Sequence, residues 1–402
     1  MFFMKNVVVA EKVLISKMVP GGQALGELPD GKKGFFWNAL PGETVTEYKI
    51  TKSKSHYIEA IALKIENPSP MRVEPLDECY LSTSPWQIVR FEDELKLKSE
   101  LVTEVFRQNG INLETECVSD GRDYGYRNKM EYALFWNNET GLIDLAFHMR
   151  GSHYKIPVIK SSIERPELFE KAREIVAELN ARGDEARKYQ SLLLRCNQDG
   201  KVSGGLFENG KPHPVFENLN DEILGRKYSY SPNGFFQINL PVYEMALKEI
   251  SKYVTSGKVL DMYSGVGTIG LSVVSRDALL NGVSELKLVE CDKSAWQESL
   301  NNIAGLDGVE SVLAKSEDVI SYIEPEQTVI LDPPRAGCDE KLIRRLLEVG
   351  PKRVIYLSCN PATQARDVAM LVEKYKIVAA KTFDFFPHTP HIENLVVLEY
   401  TK

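Results

Sequence analysis

Cysteine is scarce in this chain and never paired. Cys79, Cys117, Cys196, Cys291, Cys338 and Cys359 are spread far apart, with no CxxC anywhere. Zinc and iron–sulfur frameworks therefore find no support, and a disulfide scaffold is not expected at 6 cysteines in 402 residues. No apolar run is long enough to span a bilayer. The opening stretch Met1–Ala10 is too short for a secretory signal, and Glu11 and Lys12 follow it too soon. A cytoplasmic protein without membrane contact is expected, and a monomer. There is no internal repeat and no low-complexity tract. Nor is there a basic excess: 49 Lys and Arg face 57 Asp and Glu, a net charge of −8. Binders of nucleic acid usually carry the opposite balance. A local basic groove on an acidic protein can still hold a short single-stranded RNA segment, with weak affinity for bulk duplex.

What is present is enough apolar residue, 43% of the chain, for two or three domains with sizeable cores. From Lys12 to Ile65 short alternating runs are broken by Pro20-Gly21-Gly22, Pro29-Asp30-Gly31 and Pro41-Gly42-Glu43, the pattern of a small antiparallel β-barrel. Pro68-Ser69-Pro70 reads as a linker. The stretch Glu92–Asn109 is an amphipathic helix, with Leu95, Leu97, Leu101, Val102, Val105 and Phe106 apolar. Strand signals at Met130–Trp136 and Leu142–His148, with a helix over Ile163–Arg182, predict an α+β middle domain. From Gly257 the texture becomes strand–helix alternation. Strands are predicted at Lys258–Met262, Leu286–Cys291, Val329–Asp332 and Arg353–Ser358, and helices at Lys293–Ala304, Glu340–Glu348 and Ala362–Tyr375. That predicts an α/β fold with a doubly wound parallel sheet. Two strands, Ile377–Phe386 and Leu395–Tyr400, close the chain. The expected domains are 1–67, 68–230 and 231–402, with helix 92–109 able to pack on the last.

Several motifs stand at strand ends. Gly265, Gly267 and Gly270 follow the strand that ends in Asp261-Met262-Tyr263, and glycines there let a backbone approach a ligand. Such a turn by itself does not separate a dinucleotide from S-adenosylmethionine. Glu290 ends the next strand, where a carboxylate can accept two ribose hydroxyls. Asp332-Pro333-Pro334-Arg335 puts an acid and a rigid wall at the end of a central strand. Leu357-Ser358-Cys359-Asn360-Pro361 puts a thiol at a strand exit and a helix start, where the helix dipole favours thiolate. Phe386-Pro387-His388-Thr389-Pro390-His391-Ile392-Glu393 is a proline-stiffened loop ending in a carboxylate. His388 and His391 lack further ligands, so positioning roles are expected and not metal binding. Phe235-Phe236-Gln237 sets aromatics beside a carboxamide, suited to stacking on a base and bonding its edge. Tyr126-Arg127-Asn128-Lys129 opens a strand where it can meet phosphates or a base.

With these motifs assembled, the chain resembles the RNA 5-methyluridine methyltransferase family over nearly its whole length. The resemblance implies that the barrel is an OB-like TRAM RNA-binding module and that the last domain is a class I methyltransferase domain. It implies Cys359 as nucleophile, Glu393 as base and Asp332 in the catalytic pocket. It implies S-adenosylmethionine at Gln237, Tyr263, Gly265, Gly267, Glu290 and Asp332. RNA is expected at Tyr126, Arg127, Lys129, Phe235 and His388. One departure stands out. Many members hold a four-iron cluster through four cysteines between barrel and middle domain. Here that region reads Cys79-Tyr80-Leu81-Ser82-Thr83-Ser84-Pro85-Trp86-Gln87, with a single cysteine, so no cluster and no metal are expected.

The chemistry that fits is methylation of uridine C5 in RNA. A thiolate adds to C6, C5 becomes nucleophilic, and a base later removes the C5 proton. The uridine must leave its stack. Ribosomal RNA is the favoured substrate, on the barrel, with transfer RNA the alternative. Two other classes compete. A non-catalytic RNA-binding or folding factor would have no use for both Cys359 and Glu393. A nicotinamide dehydrogenase would have no use for the DPPR and SCNP motifs.

Overall fold

The computed structural model describes residues 7–152, 154–159, 161–214, 216–254, 257–273 and 283–401. Five strands close the barrel in the order Val7–Met18, Ala24–Glu27, Lys33–Trp37, Tyr57–Glu66, Thr44–Ser53. Its inward residues alternate along each strand, as in Val13, Ile15, Phe36 and Ala60, which are fully buried. The middle of the chain forms a six-stranded antiparallel sheet, with Lys129–Asn137 and Tyr189–Cys196 at its centre. Helix Pro166–Arg182 buries Leu168, Ala172 and Leu179 in the core of that sheet. Pro166 opens this helix three residues later than the periodicity predicted, because proline is tolerated only in the first turn.

The third unit is an eight-stranded sheet. Its order is Val309–Leu313, Val283–Glu290, Gly257–Asp261, Thr328–Leu331, Arg353–Ser358, Glu393–Tyr400, Tyr375–Phe383, Cys117–Val118. The first five strands are parallel. Glu393–Tyr400 runs antiparallel to both neighbours. Its first residue therefore lies at the edge where the parallel strands end, and Ser358 pairs with Asn394. The strand order reverses between Gly257–Asp261 and Thr328–Leu331, which is where open α/β sheets bind ligands.

Packing crosses the expected domain limits in four places. Helix Phe91–Gln108 lies against helix Pro361–Leu371, and Cys117–Val118 adds an edge strand to the large sheet. The hairpin Leu219–Ile223/Arg226–Tyr230 was assigned to the middle domain. It buries Leu219, Ile223, Tyr228 and Tyr230 in one core with Val259, Leu286 and Phe385 of the large sheet. Alternation along a strand shows that one face is covered, but not by what. A single apolar cluster also runs from the barrel (Phe36, Val45) through Trp86 and Leu101 to Leu342 and Val396 on the other face of the large sheet.

Candidate active site

Cys359 is half-buried between the end of strand Arg353–Ser358 and the first turn of helix Pro361–Leu371. Asn360 caps that helix, its side chain accepting from Ala362 N at 3.2 Å. Asn360 Nδ2 also donates to the Arg335 carbonyl at 2.8 Å, tying the thiol's turn to the Asp332–Arg335 segment. Gln364 holds the third piece. Its Nε2 donates to the carbonyls of Tyr356 and Asn394 at 2.8 and 2.9 Å, while Asn394 Nδ2 donates to Gln364 Oε1 at 2.7 Å. These bonds lock the strand that begins with Glu393 to the strand that ends before Cys359.

Three acidic groups and the thiol share this edge. Glu393 is only 4% exposed, and no protein hydrogen bond reaches its carboxylate among the described residues. Burial pushes its pKa well above the usual range, the Asp332 charge adds to this, and Arg335 opposes it. Burial, with Asp261 beside it, raises Asp332 to about 7. Asp261 is itself raised to about 7 by burial, although its Oδ2 accepts from Gly270 N at 2.9 Å. The Cys359 thiol is pushed up to about 11 by burial and then by Glu393 and Asp332. The sequence argument expected a thiolate favoured by the helix N-terminus. The structure reverses that sign, because lost solvation and two nearby carboxylates outweigh Arg335 and the helix end. At pH 7 such a thiol is held mainly protonated, and a neighbouring base would assist its ionisation.

The glycine turn forms the neighbouring part of the edge. Gly265 and Gly267 both have positive φ, 56° and 91°. Glu290 reaches across to them: its Oε2 accepts from Gly265 N at 2.8 Å and its Oε1 from Asp292 N at 2.6 Å. A Cβ built on Gly265 would meet nothing within 4 Å, so this backbone is open to a ligand. Gln237 is buried, and its side-chain amide has no hydrogen-bond partner among the described residues. Tyr263 lines a cavity of about 510 Å³ with Glu317, Pro334 and Cys338, away from Cys359. Among the described residues no group of three or more His, Cys, Asp or Glu is placed to hold a metal ion. Cys79 is buried beside the middle sheet.

The loop that delivers Glu393 is held from below by charges the sequence reading passed over. Lys98 is fully buried and donates to Asp384 Oδ1 at 2.6 Å and to the Phe386 carbonyl at 3.2 Å. It also pairs with Glu94 at 2.8 Å. Glu94 in turn accepts from His388 N at 2.8 and 3.0 Å, and burial lifts it to about 8. The signal was present: Glu94 and Lys98 sit at i,i+4 spacing inside the apolar stripe of their helix.

Residues 311–401 match the family model described as tRNA (uracil-5-)-methyltransferase. An RNA methyltransferase of uncharacterised target from Lactobacillus johnsonii is 27% identical, covering 93% of this chain and 94% of its own. One from Caldanaerobacter subterraneus is 28% identical, covering 98% of this chain and 100% of its own. Among solved structures, the tRNA (uracil-54, C5)-methyltransferase of Pyrococcus abyssi, bound to S-adenosyl-L-homocysteine, has the same fold. Its TM-score is 0.72 at 23% identity, over 96% of this chain and 100% of that one. Residues 311–401 are thus similar to the tRNA (uracil-5-)-methyltransferase family, and the chain as a whole is similar to RNA methyltransferases.

The residues expected at RNA divide in this structure. Phe235 is 73% exposed, free to stack on a base, while Phe236 beside it is buried and stacked on Tyr230 with centroids 4.0 Å apart. Tyr126 and His388 were expected to touch RNA, and both are buried in this structure. Tyr126 is buried, and its hydroxyl donates to the Pro387 carbonyl at 2.9 Å. His388 is 3% exposed, in the left-handed region at φ 60°, with its ring against Tyr124 at 4.3 Å between centroids. Both hold the loop, and a sequence pattern cannot tell an inward aromatic from an outward one in irregular backbone. Arg127 Nε donates to the Lys129 carbonyl at 2.9 Å. Lys129 Nζ donates to the carbonyls of Asn233 and Gly234, both at 3.1 Å, and burial lowers its pKa to about 8. Arg335 and His391 line one cavity with Cys359, and His391, for which a positioning role is expected, has its Nδ1 3.1 Å from Arg335 Nη2. Burial and Arg335 lower His391 to about 4, so its ring is neutral at physiological pH.

Proposed function

We propose that this protein methylates C5 of a uridine in RNA, with S-adenosylmethionine as donor and Cys359 as a transient covalent nucleophile. The observation that carries the reading is the meeting of the Cys359 thiol with the Glu393 and Asp332 carboxylates at one sheet edge, each raising the thiol's pKa. Carboxylates held near or above neutrality are proton acceptors and donors of the strength this chemistry uses.

Cys359 loses its proton to a neighbouring carboxylate and adds to C6 of the uracil. The electron pair released from the C5–C6 bond makes C5 nucleophilic. The residues of the glycine turn fit S-adenosylmethionine: open backbone at Gly265, an unpartnered amide at Gln237, and a strand-end carboxylate at Glu290. Bound there, it supplies an electrophilic methyl group to C5. Glu393 then accepts the C5 proton, and that pair of electrons re-forms the double bond as the Cys359 sulfur leaves C6. Burial favours a Glu393 that takes and returns protons, since its charged form is unsolvated. Phe235, exposed near the loop that holds Gln237, is the residue proposed to stack on an RNA base.

The barrel does not choose between ribosomal and transfer RNA. The Pyrococcus abyssi protein, whose named substrate is tRNA, shares the fold over 96% of this chain. The decisive experiment maps 5-methyluridine in both RNAs from cells with and without this protein. One site, in either RNA, should lose the modification. An unchanged map in both would overturn the reading.

A further inference from the structure

A cavity of about 270 Å³ opens directly beside Cys359. It is built from three distant parts of the chain. Arg335, Cys359 and His391 come from the catalytic edge, Leu101 and Val105 from helix Phe91–Gln108, and Pro20 and Gly21 from the barrel. Neither Glu393 nor Asp332 lines it. Cys359 itself lines it, so the cavity adjoins the space in which the target uracil would meet the thiol. A nucleotide attached to that uridine must lie close by, because the RNA chain is continuous.

The barrel's share of the wall is rigidly placed. Val19-Pro20-Gly21-Gly22 is a tight turn, with Gly22 N donating to the Val19 carbonyl at 3.0 Å and Gly21 at φ 95°. That is the type II geometry, which favours proline then glycine at the two central positions. The Gly22 carbonyl accepts from Trp86 Nε1 at 3.0 Å, and Trp86 N donates to the His388 carbonyl at 3.0 Å. Trp86 thus rivets the barrel turn to the loop that carries Glu393. A Cβ on Gly22 would fall 2.1 Å from Pro390 Cβ, so only glycine permits this approach. Pro20 is exposed and lines the cavity together with Pro390 and His391.

We propose that this cavity is a binding site for the nucleotide next to the methylated uridine, and that the barrel turn, through Pro20, selects that neighbour. Pro20 and Pro390 supply flat apolar faces for a nucleobase, and Arg335, also in the lining, supplies charge for a phosphate. The proposal rests on the reading of this protein as an RNA uridine methyltransferase. It makes the barrel part of the active site as well as a general RNA holder.

The test uses the full chain and an RNA that the wild-type protein methylates. Replacing Pro20 with the photo-cross-linker p-benzoyl-phenylalanine should give a cross-link confined to the nucleotides immediately flanking the target. Pro20→Trp should raise KM for RNA by about ten-fold and change the preferred neighbour, with kcat at saturating RNA and S-adenosylhomocysteine affinity kept within about two-fold. Pro20→Ala should shift neighbour preference by less. Methylation by the wild type together with cross-links only to distant nucleotides, or a Pro20→Trp with unchanged KM and preference, would overturn the flanking site alone. No cross-link and no methylation of any RNA by the wild type would overturn it together with the reading beneath it.

Discussion

Glu290 and Glu393 stand at the same edge of the eight-stranded sheet, one closing a parallel strand and the other opening an antiparallel one. Glu290 is half-exposed and accepts two backbone N–H bonds, from Gly265 and Asp292. Glu393 is buried, receives no protein hydrogen bond among the described residues, and sits beside Asp332 and Cys359. The first is a carboxylate whose charge is solvated by fixed dipoles, suited to holding a polar ligand in place. The second is a carboxylate whose charge is unwelcome, suited to carrying a proton. Residue type and position on the sheet are the same. The surroundings suit one to holding a ligand and the other, in the function proposed, to acting as a base.

That contrast can be broken by substitution. The largest effect is expected at the thiol that only the Glu393 side possesses. Cys359→Ala should abolish 5-methyluridine formation while S-adenosylhomocysteine still raises the melting temperature as in wild type; residual turnover near normal would remove the thiol from the mechanism. Glu393→Gln should slow turnover by about 10²–10⁴-fold, the range for losing a general base. It should also accumulate a protein–RNA adduct that survives denaturing electrophoresis and needs Cys359. Normal turnover without adduct would make Glu393 an ordinary buried acid.

The support beneath the loop comes next. Lys98→Met leaves Glu94 and Asp384 buried without their cation, and should cost about 3–5 kcal/mol in denaturant unfolding. A stability close to wild type would show that the two carboxyls are held neutral. Glu290→Gln should behave differently from Glu393→Gln. It weakens hydrogen bonds to a charged acceptor, worth about 1.5–3 kcal/mol each. S-adenosylhomocysteine affinity should fall by about ten-fold or more, with no adduct on a gel.

The smallest effect is on pH dependence. Asp261 and Asp332 are raised to about 7 and Glu94 to about 8, so the folded protein binds more protons than the unfolded chain above about pH 4. Their contribution to stability is complete below that point and is lost as pH rises through 7 to 8. The melting temperature should therefore decline by a few degrees between pH 6 and pH 8.5, and Asp261→Asn should flatten the decline. Methylation, which needs an ionised base, should rise over the same interval.

Much of this site was legible in the sequence because local rules set it. Glycines 265 and 267 are needed wherever the chain turns through positive φ. Asn360 and Pro361 mark a helix start by capping and ring geometry. The strand ending at Ser358 was bounded correctly, since a buried apolar run between turn signals leaves few choices. Other features were hidden because they depend on what faces what. Lys98 lies on an amphipathic helix, and the partner that keeps it buried, Asp384, is 286 positions away in the chain. Tyr126 and His388 looked available to RNA until the base loop was found folded over them.

The sequence by itself determined the barrel, the strand–helix alternation of the last part of the chain, the turn that approaches a ligand, and the identity of a thiol and carboxylates at strand exits. These follow from periodicity, backbone sterics and side-chain chemistry, all of which act over a few residues. Only the tertiary structure decided the protonation tendencies of that thiol and those carboxylates, the buried charges that hold the base loop, and the barrel turn's place in the wall beside Cys359. Each of these depends on desolvation and Coulomb interaction between segments far apart in the chain, and those strengths exist only once the fold has excluded water and fixed the distances.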